Sequence, residues 1–294
     1  MVDIGFVGLG HMGLPMAVNL VQAGHHVLGY DLKPSLREEF LKKGGKSCEH
    51  LSEVAQACDV IITMLQTGDQ VKQVCSGPEG LFSSLKSNSL YIDCSSIDVE
   101  SSREIHQAAS DHHILVVDAP VSGGVAGAEG ASLTIMVGGS LAAFEAARPV
   151  LEVMGKNIIH TGEAGSGQAA KICNNMILGI SMIAVSEAFT LADHLGLDAK
   201  KLFEVVNKAS GQCWVMSKYT PVPGLLDNVP ANRDYEPGFT ADMMLKDLKL
   251  SQRAAGATDT NTRIASKATA IYQEFVDKGQ GHLDFSAIIK GIQD

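Results

Sequence analysis

The sequence predicts an α/β N-terminal domain, built on a doubly wound and mostly parallel sheet, followed by an all-α domain with one long helix. Three observations lead there. Short apolar runs of β type alternate with helical stretches through the first half. The strand-like runs stop near residue 162. Beyond that point residues 166–195 contain no proline, are rich in Ala, Ile, Met and Leu, and end at Gly196, the pattern of one long helix. A chain of 294 residues has room for two domains of about 150 residues each. The boundary is expected near Gly162, giving a first domain of residues 1–162 and a second of residues 163–294.

Each element has its own signal. Residues 4–7, 27–30, 60–64, 90–92 and 114–117 are compact apolar runs, separated by stretches long enough for crossover helices, which argues for a sheet covered on both faces. Ser35 followed by Glu38 suggests a capping box opening a short helix that Gly44 and Gly45 close. A strand over residues 132–137, a helix over 141–154 and a last strand near 158–160 complete the first domain. Helices over 199–208, 240–255 and 264–278 follow the long one, and only 211–237, broken by Pro221, Pro223, Pro230 and Pro237, reads as loop-rich.

Composition narrows the function. Lys and Arg number 23 against 33 Asp and Glu, a formal net charge of -10, which argues against a general nucleic-acid binder or a polybasic membrane protein. Any anionic ligand must be held by local positive potential. The six cysteines form no C-x-x-C or mixed Cys/His cluster, and so read as reduced thiols. The ten histidines show no metal spacing, so no metal is expected. The N-terminus enters its first apolar run without a basic leader, so no signal or transit peptide is expected and a bacterial-like cytoplasm is the natural compartment, or the mitochondrial matrix for a processed eukaryotic form. The longest apolar run, 176–185, is about half the length of a membrane span.

Chemistry is concentrated in three places. Gly8, Gly10 and Gly13 form G-x-G-x-x-G directly after a strand and before a helix, with Asp31 at the end of the next strand. Gly8 permits the tight turn, Gly10 lets backbone approach a pyrophosphate, and Gly13 lets helix pack on strand, while the helix N-terminus attracts phosphate without side-chain charge. Asp31 would accept from ribose hydroxyls and repel a 2′-phosphate, favouring NAD over NADP, although Lys33 and Arg37 lie near enough to soften that preference. On the long helix Lys171 and Asn175 are four residues apart and share a face amid Ile172, Met176 and Ile177. A lysine partly withdrawn from water loses proton affinity and becomes useful for acid/base work; a lysine snorkelling to the surface would fit the same spacing. Ser122, Gly123 and Gly124 follow the 114–117 strand, offering a hydroxyl and backbone N–H groups suited to a carboxylate, or equally a plain glycine turn.

Taken together, the glycine-rich start, D-A-P-V-S-G-G from Asp118, the run from Gly165 to Asn175 and the pair Lys246–Asp247 resemble the β-hydroxyacid dehydrogenase family, in order along nearly the whole chain. The resemblance implies a Rossmann domain binding NAD through Gly8, Leu9, Gly10, His11, Met12, Gly13 and Asp31. It also implies a helical second domain and an active site in the cleft between the two. It makes Lys171 the general acid/base, Asn175 its orienting partner or that of the substrate, and Ser122, Gly123 and Gly124 the carboxylate seat. Leu65, Gln66, Gln70, Ser96, Lys246 and Asp247 fall at family cofactor positions, with Phe239 and Trp214, the only tryptophan, toward the substrate. Gln66 stands where the family usually carries proline, and Ser96 where threonine is common. The implied reaction is oxidation of a small β-hydroxyacid, first 3-hydroxyisobutyrate to methylmalonate semialdehyde in valine breakdown. Sibling substrates are tartronate, glyoxylate or succinate semialdehyde. A dinucleotide sensor without turnover would keep the glycine loop but has no use for Lys171 and Asn175. The apolar long helix implies a homodimer or homotetramer.

Overall fold

The structure, a computed structural model, describes residues 1–293. The chain forms two compact units, Met1–Lys171 and the part from Ile172 onward. In the first, the elements run β1 (Asp3–Val7), α1 (Gly13–Gln22), β2 (His26–Tyr30), α2 (Pro34–Lys42), β3 (Lys46–Ser47), α3 (Leu51–Ala57), β4 (Val60–Thr63), α4 (Gly68–Ser76) and β5 (Leu90–Asp93). Then come α5 (Val99–Asp111), β6 (Leu115–Asp118), β7 (Val121–Ser122), α6 (Gly124–Glu129), β8 (Leu133–Gly138), α7 (Leu141–Met154) and β9 (Gly155–Gly162).

Among the described residues nine strands make one sheet in the order β3-β2-β1-β4-β5-β6-β8-β7, with β9 on β8. The pairs from β3 through β6 are parallel, and β8 runs antiparallel to β6 and β7. This is the mostly parallel, doubly wound sheet that the apolar runs imply. The period of two decides which face each side chain covers. Ile4, Phe6, Val60, Ile62, Leu90 and Ile92 enter one core with α1 and α7. Val7, Ile61 and Tyr91, from alternate positions, enter a second core with α3, α4 and α5. Strands buried on both faces place ligand-binding groups at their carboxyl ends, where β1, β4, β5 and β6 all deliver loops.

The helix α8 (Ser166–His194) starts in the first unit and continues into the second, where α9 (Ala199–Val206), α10 (Trp214–Lys218), α11 (Ala241–Ala257), α12 (Arg263–Phe275) and α13 (Ile288–Gln293) follow. The core of the second unit gathers Met182, Val185 and Phe189 of α8 with Met244 and Leu248 of α11 and Tyr272 of α12.

Two local readings need correction, that of the start of α2 and that of the apolar run 176–185. No capping box opens α2: Lys33 is its N-cap, Pro34 occupies the first turn and Ser35 lies inside the helix. Proline has no N–H to satisfy and a φ already near the helical value, so it starts the helix one residue ahead of the serine. The interval 211–237 is loop-rich, with only the short α10 and a 3₁₀ turn at Pro230–Arg233 as regular structure within it. The apolar run 176–185 is part of a 29-residue helix which, by length and composition, would suffice to cross a membrane. Its buried positions are filled by the core of the second unit, the pattern of a central helix in a globular domain.

Candidate active site

The glycine loop joins β1 to α1 with the geometry that anion binding needs. Gly8 has φ +97°, and a Cβ there would meet the Met64 carbonyl oxygen at 2.4 Å. A Cβ on Gly13 would lie 1.9 Å from the Gly8 oxygen, so the helix starts flush against the turn. Gly10 differs: a Cβ there would meet nothing within 4 Å, leaving open space above the backbone. No side chain caps α1, and no acidic residue stands in its first turn. These residues fit a dinucleotide pyrophosphate, with positive helix-end potential facing free volume.

Asp31 closes this loop from β2. One carboxylate oxygen accepts the Leu9 N–H at 2.9 Å and the other the Lys33 N–H at 2.8 Å. Each oxygen retains a second lone pair for a ribose hydroxyl. Arg37 turns its guanidinium onto the Asp31 backbone oxygen, at 2.6 Å, rather than onto the carboxylate.

Leu65 and Gln66 follow β4, and Ser96 follows β5, at the carboxyl ends of neighbouring parallel strands. Leu65 N–H donates to Ser95 Oγ at 2.9 Å, and Gln66 N–H donates to Gln70 Oε1 at 3.0 Å. A proline at position 66 could not make the second bond. The departure from the family pattern is therefore matched by a side chain, four residues on, that holds the turn.

At the end of β6 Asp118 organises the start of α8. Its Oδ1 accepts the Gly165 N–H at 2.8 Å and lies 2.9 Å from His106 Nε2, while Oδ2 accepts the Gln168 N–H at 2.9 Å. The helix approaches so closely that a Cβ on Gly167 would stand 2.4 Å from the Met136 oxygen. Lys171, one turn on, is 8% exposed, and its Nζ donates to the Val121 carbonyl at 2.7 Å. Ser122, Gly123 and Gly124 come next in the chain, with Gly123 at φ +141° and Gly124 at φ +62°, backbone that favours glycine. The structure thus brings Lys171 onto the strand that leads into the serine–glycine turn, within the first unit.

Within the second unit Asn175 and Asp247 are both buried. Asn175 Nδ2 donates to Asp247 Oδ2 at 2.5 Å, and Asn175 Oδ1 accepts from Asn174 Nδ2 at 2.9 Å. Lys246 Nζ lies 3.5 Å from Asp247 Oδ1. Trp214 stacks on Tyr219 with ring centres 5.2 Å apart, and Tyr219 stacks on Phe285, which Phe239 meets edge-on. Beneath them lies Asp284, wholly buried.

Sequence reasoning gave no role to Asp118, Gln168, Asp93, Tyr219 or Asp284. All are polar groups in apolar surroundings, and only their position inside named motifs (Asp118, Gln168) or at a strand end (Asp93) hinted at three of them. Among the described residues no three His, Cys, Asp or Glu side chains gather as a metal-binding set. Burial pushes the Cys48 thiol up to about 11 and the Cys58 thiol up to about 12, so both stay protonated.

Comparison with known proteins agrees with this geometry. Residues 3–162 match the family model described as the NAD binding domain of 6-phosphogluconate dehydrogenase, and residues 165–292 match that for NAD-binding of NADP-dependent 3-hydroxyisobutyrate dehydrogenase. A probable 3-hydroxyisobutyrate dehydrogenase of Mycobacterium tuberculosis is 45% identical, over 98% of this chain and 97% of that protein. The NAD-dependent L-serine dehydrogenase of Pseudomonas aeruginosa is 42% identical, over 99% of this chain and 97% of that protein. The solved structure of Mycobacterium tuberculosis 3-hydroxyisobutyrate dehydrogenase with L-serine superposes with a TM-score of 0.94 at 44% identity, covering 100% of both chains. With the dinucleotide loop, the lysine helix and these relatives in agreement, the chain belongs to the β-hydroxyacid dehydrogenase family and is an NAD-dependent oxidoreductase.

Proposed function

We propose that this enzyme oxidises 3-hydroxyisobutyrate to methylmalonate semialdehyde, a step of valine breakdown. The observation that carries the reading is the buried Lys171, held at the Val121 carbonyl immediately before Ser122 and Gly123. Ser122 Oγ and the Gly123 and Gly124 N–H groups hold the substrate carboxylate, assisted by Lys246. Lys171, as the amine, accepts the proton of the primary hydroxyl, and as the ammonium returns it to the aldehyde oxygen in reverse. Asn175 orients the hydroxyl through the N–H that its bond to Asp247 leaves over. NAD, when bound, supplies the hydride acceptor. Gly8, Leu9, Gly10, His11, Met12 and Gly13 hold its pyrophosphate and Asp31 its ribose, while Leu65, Gln66, Gln70, Ser96, Lys246 and Asp247 line its nicotinamide end. Trp214 and Phe239 form an apolar wall for a small branched acid.

L-serine is the second reading. It is favoured by the 42%-identical relative named for that substrate and by the L-serine in the related structure. Both acids place a primary alcohol two carbons from a carboxylate, so the carboxylate seat and Lys171 serve either. Replacing Lys171 with Ala should cut turnover by roughly three orders of magnitude or more with NADH binding retained; near-normal turnover would refute the assignment. Parallel assays of 3-hydroxyisobutyrate, L-serine and other β-hydroxyacids with NAD and NADP decide the substrate.

A homodimer or homotetramer is part of the same proposal. Ile177, Leu191 and Leu195 of α8 and its extension are 63%, 60% and 74% exposed, an apolar stripe that a second copy would cover. Light scattering that finds a monomer would refute it. The relatives include bacterial proteins and eukaryotic ones named mitochondrial, and the reaction suits a bacterial cytoplasm or a mitochondrial matrix.

A further inference from the structure

We propose that Gln168 is a positioning residue that locks the cofactor loop 95–97 to the helix carrying Lys171. The proposal rests on the reading of Lys171 as the acid/base. Gln168 is fully buried, and its side-chain amide makes two bonds to backbone more than seventy residues away: Oε1 accepts the Ile97 N–H at 3.1 Å, and Nε2 donates to the Ser95 carbonyl at 2.7 Å. The two bonds straddle Ser96, assigned above to the cofactor. One planar amide thus grips the loop on both sides of that residue.

The other end of the linkage is equally fixed. The Gln168 backbone N–H is held by Asp118 Oδ2 at 2.9 Å, and the Gly165 N–H by Asp118 Oδ1 at 2.8 Å, which pins the first turn of α8 to the end of β6. Lys171 lies three residues beyond Gln168, on the same side of the helix. Its Nζ is itself anchored, at Val121. The β5 loop, the β6 end and the lysine therefore form one hydrogen-bonded frame, with no flexible side chain exposed to solvent between them. Hydride and proton transfer demand that the acceptor seat and the base keep their spacing to within a fraction of an ångström, and this frame sets it.

Only a side chain that donates and accepts at once fits the site. Asn is too short, Met removes both bonds, and Glu turns the donor into an acceptor facing the Ser95 carbonyl unless the carboxyl is protonated. That logic gives a test with a signature that simple core packing lacks. The assay uses 3-hydroxyisobutyrate or L-serine, whichever the wild-type enzyme oxidises. In Gln168→Met, kcat should fall at least roughly tenfold and by more than NADH affinity falls, and the isotope effect on kcat with deuterium at the oxidised carbon should rise as hydride transfer becomes limiting. In Gln168→Glu, assayed in the reducing direction, the rate relative to wild type should climb as pH falls, because protonation restores the donor.

A Gln168→Met enzyme with kcat and isotope effect within about twofold of wild type, and only its melting temperature lowered, would overturn the proposal. If that variant does not fold, a pH-independent ratio for Gln168→Glu overturns it. Lys171→Ala is assayed alongside. Turnover surviving there defeats the reading of Lys171 and this proposal together, whereas its loss combined with wild-type behaviour at position 168 defeats this proposal alone.

Discussion

Asn175 and Asp247 are joined by a hydrogen bond of 2.5 Å, from the amide Nδ2 to the carboxylate Oδ2, and both residues are buried. A carboxylate accepts and never donates when ionised, so it decides which way the amide faces. Asn174 completes the assignment by donating to Asn175 Oδ1. One N–H of Asn175 is left to meet a hydroxyl. Asp247→Leu should free the amide to turn, leave it unpaired and destabilise the protein by about 1–3 kcal/mol in urea unfolding, with turnover reduced as well. Asp247→Asn keeps an acceptor and should lose less of both. Equal losses in the two variants would show that the amide is not oriented by this bond.

Two glycines of the dinucleotide loop, Gly10 and Gly13, should separate cleanly. Gly13 is needed by the fold, because a Cβ there would lie 1.9 Å from the Gly8 oxygen. Gly10 is not needed by the fold, because a Cβ there touches no protein atom within 4 Å, and the proposed pyrophosphate seat is what would require it. Gly10→Ala should therefore melt within a few degrees of wild type while its NADH Kd rises by roughly tenfold or more, and Gly13→Ala should lose stability along with binding. Thermal unfolding and NADH fluorescence titration on the same samples read the contrast. Parallel losses in both variants would contradict it.

Asp93, at the carboxyl end of β5, introduces a pH dependence of stability. Burial pushes its carboxyl up to about 6, against the pull of bonds from Ser95 and Thr63. Its Oδ2 has no hydrogen-bond partner. A carboxyl whose folded pKa lies above its unfolded value binds its proton more tightly in the folded chain, so its contribution is fully present below about pH 4 and is lost as pH rises through about 6. Asp93→Asn is neutral throughout and keeps an oxygen for Thr63 and Ser95. Its stability relative to wild type should rise between about pH 4 and 7, by no more than about 1.4 kcal/mol per pH unit. Urea unfolding across that range measures the slope, and a flat difference would mean that Asp93 ionises without cost.

The first unit was legible because its signals are local. Continuous apolar runs, the mark of strands buried on both faces, made β1, β4 and β5 visible, and Gly8 and Gly13 each have a steric reason that their spacing in the turn suggests. The four-residue spacing of Lys171 and Asn175 on one helix face was visible too, but it fitted a surface lysine equally, and only the family resemblance singled the pair out. The groups that fix the start of that helix were not visible. Asp118 reaches across 47 and 50 residues to Gly165 and Gln168, and Gln168 across 71 and 73 to the β5 loop, so none of the four bonds leaves a mark in any sequence window. The misplaced start of α2 has the opposite cause. Two local signals competed there, and proline in the first turn outweighed a serine one position later.

Asp284 makes the wall around Trp214 testable by a physical signal. Its Oδ2 accepts from Tyr219 Oη at 2.9 Å and from the Gly238 and Phe239 N–H groups at 3.0 and 3.1 Å, while Oδ1 accepts from Ser286 N–H at 3.0 Å and from its hydroxyl at 2.7 Å. Burial holds this carboxyl above the usual range despite five donors. An amide at position 284 must turn one N–H toward groups that also donate, so Asp284→Asn breaks either the Tyr219 side or the Ser286 side. Tyr219 carries Trp214 on its face, and Trp214 is the only tryptophan in the chain, so its emission reports the stack alone. The variant should shift that emission and raise KM several-fold for whichever β-hydroxyacid the wild-type enzyme oxidises, with NADH binding unchanged. Tyr219→Phe keeps the ring and should leave the emission nearly as it is. An unshifted spectrum with an unchanged KM in Asp284→Asn would mean that Phe285 alone supports the stack, and that the carboxylate serves only to close the turns at Gly238 and Ser286.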